Sequence, residues 1–326
     1  MRDHAAGDWD ICMKRLLVGY KAADLTPDLL NGEVTVHELD IYHAHAVEKT
    51  HPGVATVCAP HLPKGPWDEV CFHTGPKVMS GELSLDLLQE IHLLRPRMFR
   101  LDFIGKERDR NDLLNKIKDD PDRVRSFAAE WPASVPGGPK LMFTSFPGCF
   151  CHRRLDEGGL ALAEVVSREL ASFDPRPSPL ALLDMGCGCG LVGLLVNSVV
   201  KGLRITLIDS HTRAVEAARI NVAKFGADAE VILSDNGLDS VDATAPSTKH
   251  QTPSTYDIFV GNPPYYSDYR IAEVFLETAR QALRPGGICY TVVKNDAGLK
   301  PVQERYFPSV TVIRRRGYCV LKSVKG

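Results

Sequence analysis

The residues of this 326-residue chain best suited to chemistry stand in four groups: Asp184-Met185-Gly186-Cys187-Gly188-Cys189-Gly190, Asp209, Asp235 with Asn236, and Asn262-Pro263-Pro264-Tyr265. In the last group two consecutive prolines fix φ and stiffen the loop, so the Asn262 side-chain oxygen and the neighbouring carbonyl can be held as paired acceptors. Such acceptors suit an exocyclic amine conjugated to a ring or a carbonyl, whose nitrogen lone pair is delocalised and poorly nucleophilic. Accepting its hydrogens rotates or rehybridises the nitrogen and aims the lone pair at an electrophilic carbon. Tyr265 can stack on the planar acceptor.

The electrophile is read from the other three groups. Leu180-Ala181-Leu182-Leu183 is a buried-strand run, followed by glycines at 186, 188 and 190 and then an apolar helix from Leu191 to Val200. Strand, glycine turn and helix bring backbone close to a ligand and offer it the unpaired N–H groups of a helix N-terminus. Gly188-x-Gly190-x-x-Gly193 also satisfies the dinucleotide fingerprint, so this stretch alone fits NAD as well as S-adenosylmethionine. Asp209 ends the next strand, Arg204-Ile205-Thr206-Leu207-Ile208, where a carboxylate accepts both hydroxyls of an adenosine ribose; Asp235 follows the third strand and is expected to face the adenine with Asn236. The Asn-Pro-Pro-Tyr loop has no role in hydride transfer and decides for S-adenosylmethionine, with its sulfonium methyl as the electrophile. The expected chemistry is in-line transfer dominated by positioning, with no covalent enzyme intermediate and no metal.

These groups need a parallel α/β sheet to bring them to one edge, and the chain carries the pattern twice. Shifting by 189 residues lays Trp67–Phe72 on Tyr256–Gly261, Arg95-Pro96 on Arg284-Pro285 and Phe103–Lys106 on Val292–Asn295. The copies differ at the chemistry: where the second has its glycine turn, the first offers only Gly19, and His73-Thr74-Gly75-Pro76 stands in place of Asn262–Tyr265. The pattern predicts two seven-stranded-type α/β units, a degenerate first one over 1–130 and a catalytic one over 179–326. Between them Asp119–Asp122, Pro132 and Pro136–Pro139 mark a linker and lead-in over 131–178. The stretch from Asp239 to Thr255 reads as a solvated loop. Val310–Ile313 and Tyr318–Leu321 around Gly317 predict an antiparallel hairpin, whose reversed strand fits a methyltransferase sheet. Arg314-Arg315-Arg316 on that hairpin, with Lys322 and Lys325, is a candidate phosphate contact.

Composition narrows the partners. Thirty-nine Lys plus Arg against 41 Asp plus Glu leave a net charge of -2, so nucleic-acid binding requires a local patch. The nine cysteines include Cys149/Cys151 and Cys187/Cys189, each pair too close for an ordinary disulfide, and read as reduced thiols. No stretch of 18 uncharged apolar residues occurs, which predicts a cytoplasmic protein without membrane contact.

Together these motifs resemble the class I S-adenosylmethionine-dependent methyltransferases that modify planar amines. Phe146-Pro147-Gly148-Cys149-Phe150 with Leu155-Asp156-Glu157-Gly158, ahead of the glycine turn, resembles the RsmC-like ribosomal RNA guanine-N2 methyltransferases. That resemblance implies a Rossmann-like duplicated architecture with a cofactor-less first half serving as docking surface. It further implies transfer of a methyl group to the 2-amino group of a guanine in ribosomal RNA; the small subunit is the expected target and a monomer the expected state. The family usually has Phe where Tyr265 stands and often His at position 266; Tyr is shared with adenine-N6 and protein-glutamine enzymes, which keeps those acceptors, and a non-catalytic RNA-binding assembly factor, as alternatives.

Overall fold

A computed structural model describes residues 13–118, 126–171, 179–236, 256–264 and 269–326, and divides the chain into two compact units, Met1–Ser126 and Phe127–Gly326. The first unit runs β1 (Lys14–Val18), β2 (Glu33–Glu38), α1 (Ile41–Thr50), β3 (Ala55–Cys58), β4 (Glu69–Thr74), α2 (Gly81–Leu94), β5 (Met98–Phe103) and α3 (Glu107–Lys118). Its strands are all parallel in the order β3-β2-β1-β4-β5. Alternation sends Leu16, Val18, Val70 and Phe72 into one core and Leu17, Val36 and Cys71 into another, so the sheet is covered on both faces. The Ser80 hydroxyl accepts the Leu83 N–H and starts α2; Arg95, left-handed at φ 50°, and Pro96 end it.

The second unit opens with β6 (Ala129–Ala133) and β7 (Leu141–Ser145), a two-stranded hairpin, and continues with α4 (Glu157–Ala171). Then follow β8 (Leu180–Met185), α5 (Leu191–Asn197), β9 (Leu203–Asp209), α6 (Thr212–Phe225), β10 (Ala229–Leu233), β11 (Tyr256–Gly261), α7 (Arg270–Ala282), β12 (Leu283–Val293), α8 (Asp296–Gln303), β13 (Thr311–Arg315) and β14 (Tyr318–Val324). The seven-stranded sheet has the order β10-β9-β8-β11-β12-β14-β13, parallel except that β14 runs against both its neighbours. The reversed strand and terminal hairpin are therefore as the sequence predicts. Leu182, Ile205, Leu207, Ile258, Val260 and Val292 point to the face covered by α4, α5 and α6. Leu183, Met185, Ile208, Phe259 and Cys289 point to the face where α7 and α8 contribute Phe275, Leu276 and Leu299. The period of two along each strand is what makes a single run of apolar residues serve two cores.

Two expectations are corrected. Among the described residues the first unit has five strands rather than a seven-stranded pattern; these repeat the order of β10-β9-β8-β11-β12, and no reversed hairpin follows β5. The described part of the segment read as linker and lead-in, residues 131–171, is folded. Trp131 of β6 stacks on Phe143 of β7 with ring centroids 5.4 Å apart, and Phe143 meets Phe225 of α6 edge-on. Prolines and glycines there shape a hairpin turn rather than a solvated tether, because the paired aromatic side chains have a core to enter. Residues 119–125 and 237–255, which include the acidic linker stretch and all of the solvated loop, lie outside the described residues. The eight cysteines among the described residues are free, and no helix there is long and apolar enough to cross a membrane.

Candidate cofactor and acceptor site

β8, β9, β10 and β11 end at one edge of the second sheet, and the register is what gathers the four sequence groups. Met185 pairs with Gly261 across β8 and β11, and with Ile208 across β8 and β9, so the residues that follow each strand are neighbours. After β8 the chain turns through Gly186, Gly188 and Gly190, all left-handed at φ 67°, 57° and 85°. Nothing lies within 4 Å of where a Cβ on Gly188 would stand, so backbone conformation, not crowding, requires glycine there and the space beside it is open. Gly193, in the first turn of α5, is different: a Cβ would meet Leu207 at 2.9 Å and Ile205 at 3.1 Å, so the helix lies directly on β9.

Carboxylates hold this turn in shape. Asp184 is 2% exposed and its Oδ2 accepts the Gly193 N–H at 2.9 Å; burial pushes its carboxyl up to about 7. The sequence expects Asp184 beside the ligand; in the structure its carboxylate is buried beneath the turn, bonded to the backbone of α5. Asp209 lies half-exposed at the end of β9, with one oxygen accepting the Gly188 N–H at 2.8 Å and the other the His211 N–H at 2.9 Å. A carboxylate has further acceptor capacity beyond these two bonds, so hydroxyl donors can still be met from the open side.

Asp235 and Asn236 are brought to the same edge. The Ser234 N–H donates to the Asp209 carbonyl at 3.0 Å, the Ser234 hydroxyl donates to Asn236 Oδ1 at 3.1 Å, and Thr278 of α7 donates to the Asn236 carbonyl at 3.1 Å. Asn262 follows β11, beside the start of the glycine turn, and its Nδ2 donates to Asp156 Oδ2 at 2.8 Å. Pro263 is buried and Pro264 half-buried behind it, whereas Tyr265 lies outside the described residues.

Residues that sequence reasoning did not single out complete the frame. Asn221 of α6 is fully buried: its Oδ1 accepts the Thr144 N–H at 2.8 Å, and its Nδ2 donates to the Thr144 and Cys189 carbonyls at 2.9 Å each. One amide thus ties β7 to the glycine turn. Asp257, low on β11, accepts the Ala181 N–H at 2.8 Å and pairs with Arg284, locking β11 to β8. Lys294 stands 4.2 Å over the Tyr318 ring, and that ring lies 3.2 Å from where a Cβ on Gly158 would stand. No local spacing announces these partners, since 77 residues separate Asn221 from Thr144. The thiols of Cys149, Cys187 and Cys189 are all raised by burial, Cys149 to about 12, so near neutral pH they fill space as thiols rather than act as nucleophiles.

The basic cluster is largely spoken for. Arg315 and Arg316 both pair with the buried Glu164 of α4, Arg316 also with Glu157 at 3.1 Å, Arg314 with Asp296 at 3.7 Å, and Lys322 with Glu169 at 2.5 Å. Lys325 donates to the Leu283 carbonyl. Arg315, Arg316 and Lys322, which looked like a phosphate contact, fasten the terminal hairpin to the acidic residues of α4, whereas Arg314 stays largely exposed beside Asp296 of α8.

Comparison with known proteins follows the same lines. The model of the family described as "Methyltransferase small domain" matches residues 140–322, more than half of the chain. A ribosomal RNA small subunit methyltransferase C from Pseudomonas aeruginosa (strain UCBPP-PA14) is 32% identical over 184 residues, covering 55% of this chain and 49% of that protein. Its counterpart from Pseudomonas entomophila (strain L48) is 28% identical over 208 residues, covering 62% and 56%. The chain therefore spans about half the length of the curated relatives it matches. Among solved structures, a T. thermophilus 16S rRNA N2 methyltransferase (RsmC) in complex with AdoMet and guanosine superposes with a TM-score of 0.72 at 18% identity, covering 96% of this chain and 88% of that one. At that identity the likeness bears on the fold, which is Rossmann-like. With a matching family model over residues 140–322, the chain belongs to the methyltransferase small domain family.

Proposed function

We propose that the chain is a cytoplasmic, S-adenosylmethionine-dependent enzyme that methylates the exocyclic N2 amine of a guanine in small-subunit ribosomal RNA. The observation that carries the reading is the Asn262 amide, held by Asp156 at the mouth of the glycine turn. The residues present fit the cofactor: open space beside Gly188, a helix N-terminus behind it, and the Asp209 carboxylate at the end of the neighbouring strand. When bound, the cofactor supplies an electrophilic methyl group.

In this reading Gly186, Gly188 and Gly190 let backbone approach the ligand, with Asp184 bracing them from below. Asp209 accepts the ribose hydroxyls, and Asp235 with Asn236 faces the adenine. Asn262 Oδ1 and the neighbouring carbonyl would accept the two amine hydrogens and draw the nitrogen lone pair out of the ring; in the transfer the new N–C bond would replace the S–C bond, the thioether would leave and the amine would give up one proton to water. Pro263 and Pro264 keep that loop from relaxing. The rate gain is then one of orientation, for which effective molarity supplies roughly 7 to 11 kcal/mol. The relatives' printed names favour ribosomal RNA over protein glutamine, and the guanosine complex of the fold neighbour favours guanine over adenine.

The test is methyl transfer from tritiated cofactor to small ribosomal subunits from a strain lacking the gene, followed by mass-spectrometric mapping. One new N2-methylguanosine is expected. Label in adenine or glutamine, or no label on subunits from any stage of assembly, would reject it.

A further inference from the structure

Asp156 has one carboxylate and two clients. It precedes α4, where its main-chain carbonyl accepts the Leu160 N–H at 2.9 Å and its Oδ1 accepts the Gly158 N–H at 3.0 Å, the contacts of a helix N-cap. Its other oxygen, Oδ2, accepts from Asn262 Nδ2 at 2.8 Å, across 106 residues of sequence. Packing leaves that oxygen little freedom. A Cβ on Gly159 would stand 2.6 Å from Oδ2 and 3.2 Å from Leu191, and a Cβ on Gly158 would stand 3.3 Å from Oδ1 and 3.5 Å from Asn262 Nδ2. The two glycines let the start of α4 come close enough for the carboxylate to reach the loop after β11.

An asparagine amide has a donating end and an accepting end of nearly equal size, and either can face a given partner. An ionised carboxylate removes that ambiguity, because it can only accept. We infer that Asp156 is a positioning residue for the methyl transfer: by holding Asn262 Nδ2 it turns Oδ1 toward the amine of the acceptor. This rests on the proposed role of Asn262. A cap alone could be provided by Ser, Thr or Asn at position 156. Serving Gly158 and Asn262 together takes two acceptor oxygens on one planar group, which among these only Asp has. In Asp156→Asn the single oxygen serves one client, and an amide nitrogen facing Asn262 draws its Oδ1 away from the substrate, presenting donors to donors.

The experiment compares Asp156→Asn, Asp156→Ser, Asn262→Ala and the Asp156→Asn/Asn262→Ala double variant in the full chain. The readouts are steady-state methylation of small ribosomal subunits, cofactor binding by calorimetry and thermal midpoint. The expected result is a kcat lower by roughly 10- to 100-fold in both single Asp156 variants. Cofactor affinity should stay within about twofold and the Asp156→Ser midpoint near the wild type, since Ser caps as well as Asp. In the Asn262→Ala background the Asp156→Asn change should add less than about twofold, because the group it orients is gone. Full kcat in Asp156→Ser alongside a slow Asn262→Ala overturns the inference and leaves the role of Asn262 standing. Wild-type turnover in Asn262→Ala overturns that role, and this inference with it.

Discussion

Asp184 and Gly193 are joined by a buried hydrogen bond, Oδ2 to backbone N–H at 2.9 Å, which closes the glycine turn onto the strand it leaves. The motif's first carboxylate is thus a brace before it is anything else. Its donor is one of the N–H groups in the first turn of α5, which have no partner within the helix.

The brace carries a pH dependence. Burial lifts the Asp184 carboxyl to about 7 in the fold, from an ordinary value near 4 in the unfolded chain. The folded state therefore binds the proton more tightly, and this group's contribution to stability falls as pH rises from about 4 to about 7, then levels off. Asp184→Asn keeps the shape and the acceptor but cannot ionise. Its thermal midpoint relative to the wild type should be least favourable at pH 5 and most favourable at pH 8; a difference that does not change between those values would contradict the shift.

Gly193→Ala tests the contact of α5 with β9. A helical Gly-to-Ala change ordinarily gains about 0.5 to 1 kcal/mol, but here the new methyl meets Leu207 at 2.9 Å, Ile205 at 3.1 Å and Asp184 Oδ2 at 3.2 Å. Overpacking of that kind costs about 1 to 3 kcal/mol and should win. Urea unfolding is expected to show a net loss of about 1 to 2 kcal/mol. A more stable variant would mean the strand side chains give way freely.

Asn221→Ala removes three hydrogen bonds from a fully buried amide and takes the partner from the Thr144 N–H, the Thr144 carbonyl and the Cys189 carbonyl. The expected loss is about 3 kcal/mol, since each orphaned buried group costs about 1 to 3. Because Cys189 lies in the glycine turn, cofactor affinity should fall as well. Asn221→Ala with full stability and unchanged affinity would remove the link between β7 and the turn from the account.

Arg315→Ala/Arg316→Ala leaves Glu164, 4% exposed, without its two guanidinium partners. Stability should drop by about 2 kcal/mol, the scale of lost charge-assisted hydrogen bonds. The salt dependence of RNA binding should stay the same, because arginines already neutralised within the protein release few counterions from a phosphate backbone. A shallower slope of log affinity against log salt would return the cluster to the RNA.

The strands, the glycine turn and the acids after successive strands are local patterns, so periodicity and turn chemistry in the sequence alone determined the α/β class, the terminal hairpin and the order of the motifs. Local pattern also placed Asp209, Asp235 and Asn262 at strand ends, where a parallel sheet makes one edge of them. Tertiary structure decided what each polar group does there. Hydrogen bonding is short-ranged and directional, so whether Arg315 meets solvent, phosphate or Glu164, and which end of the Asn262 amide faces outward, depends on atoms more than a hundred residues away. The hairpin of residues 129–145 shows the same division. Its prolines and glycines are turn signals in isolation, and only the burial of Trp131 and Phe143 against α6 makes them part of a domain rather than a tether. Residue types can state what chemistry is available; the partner each group finds is set by packing.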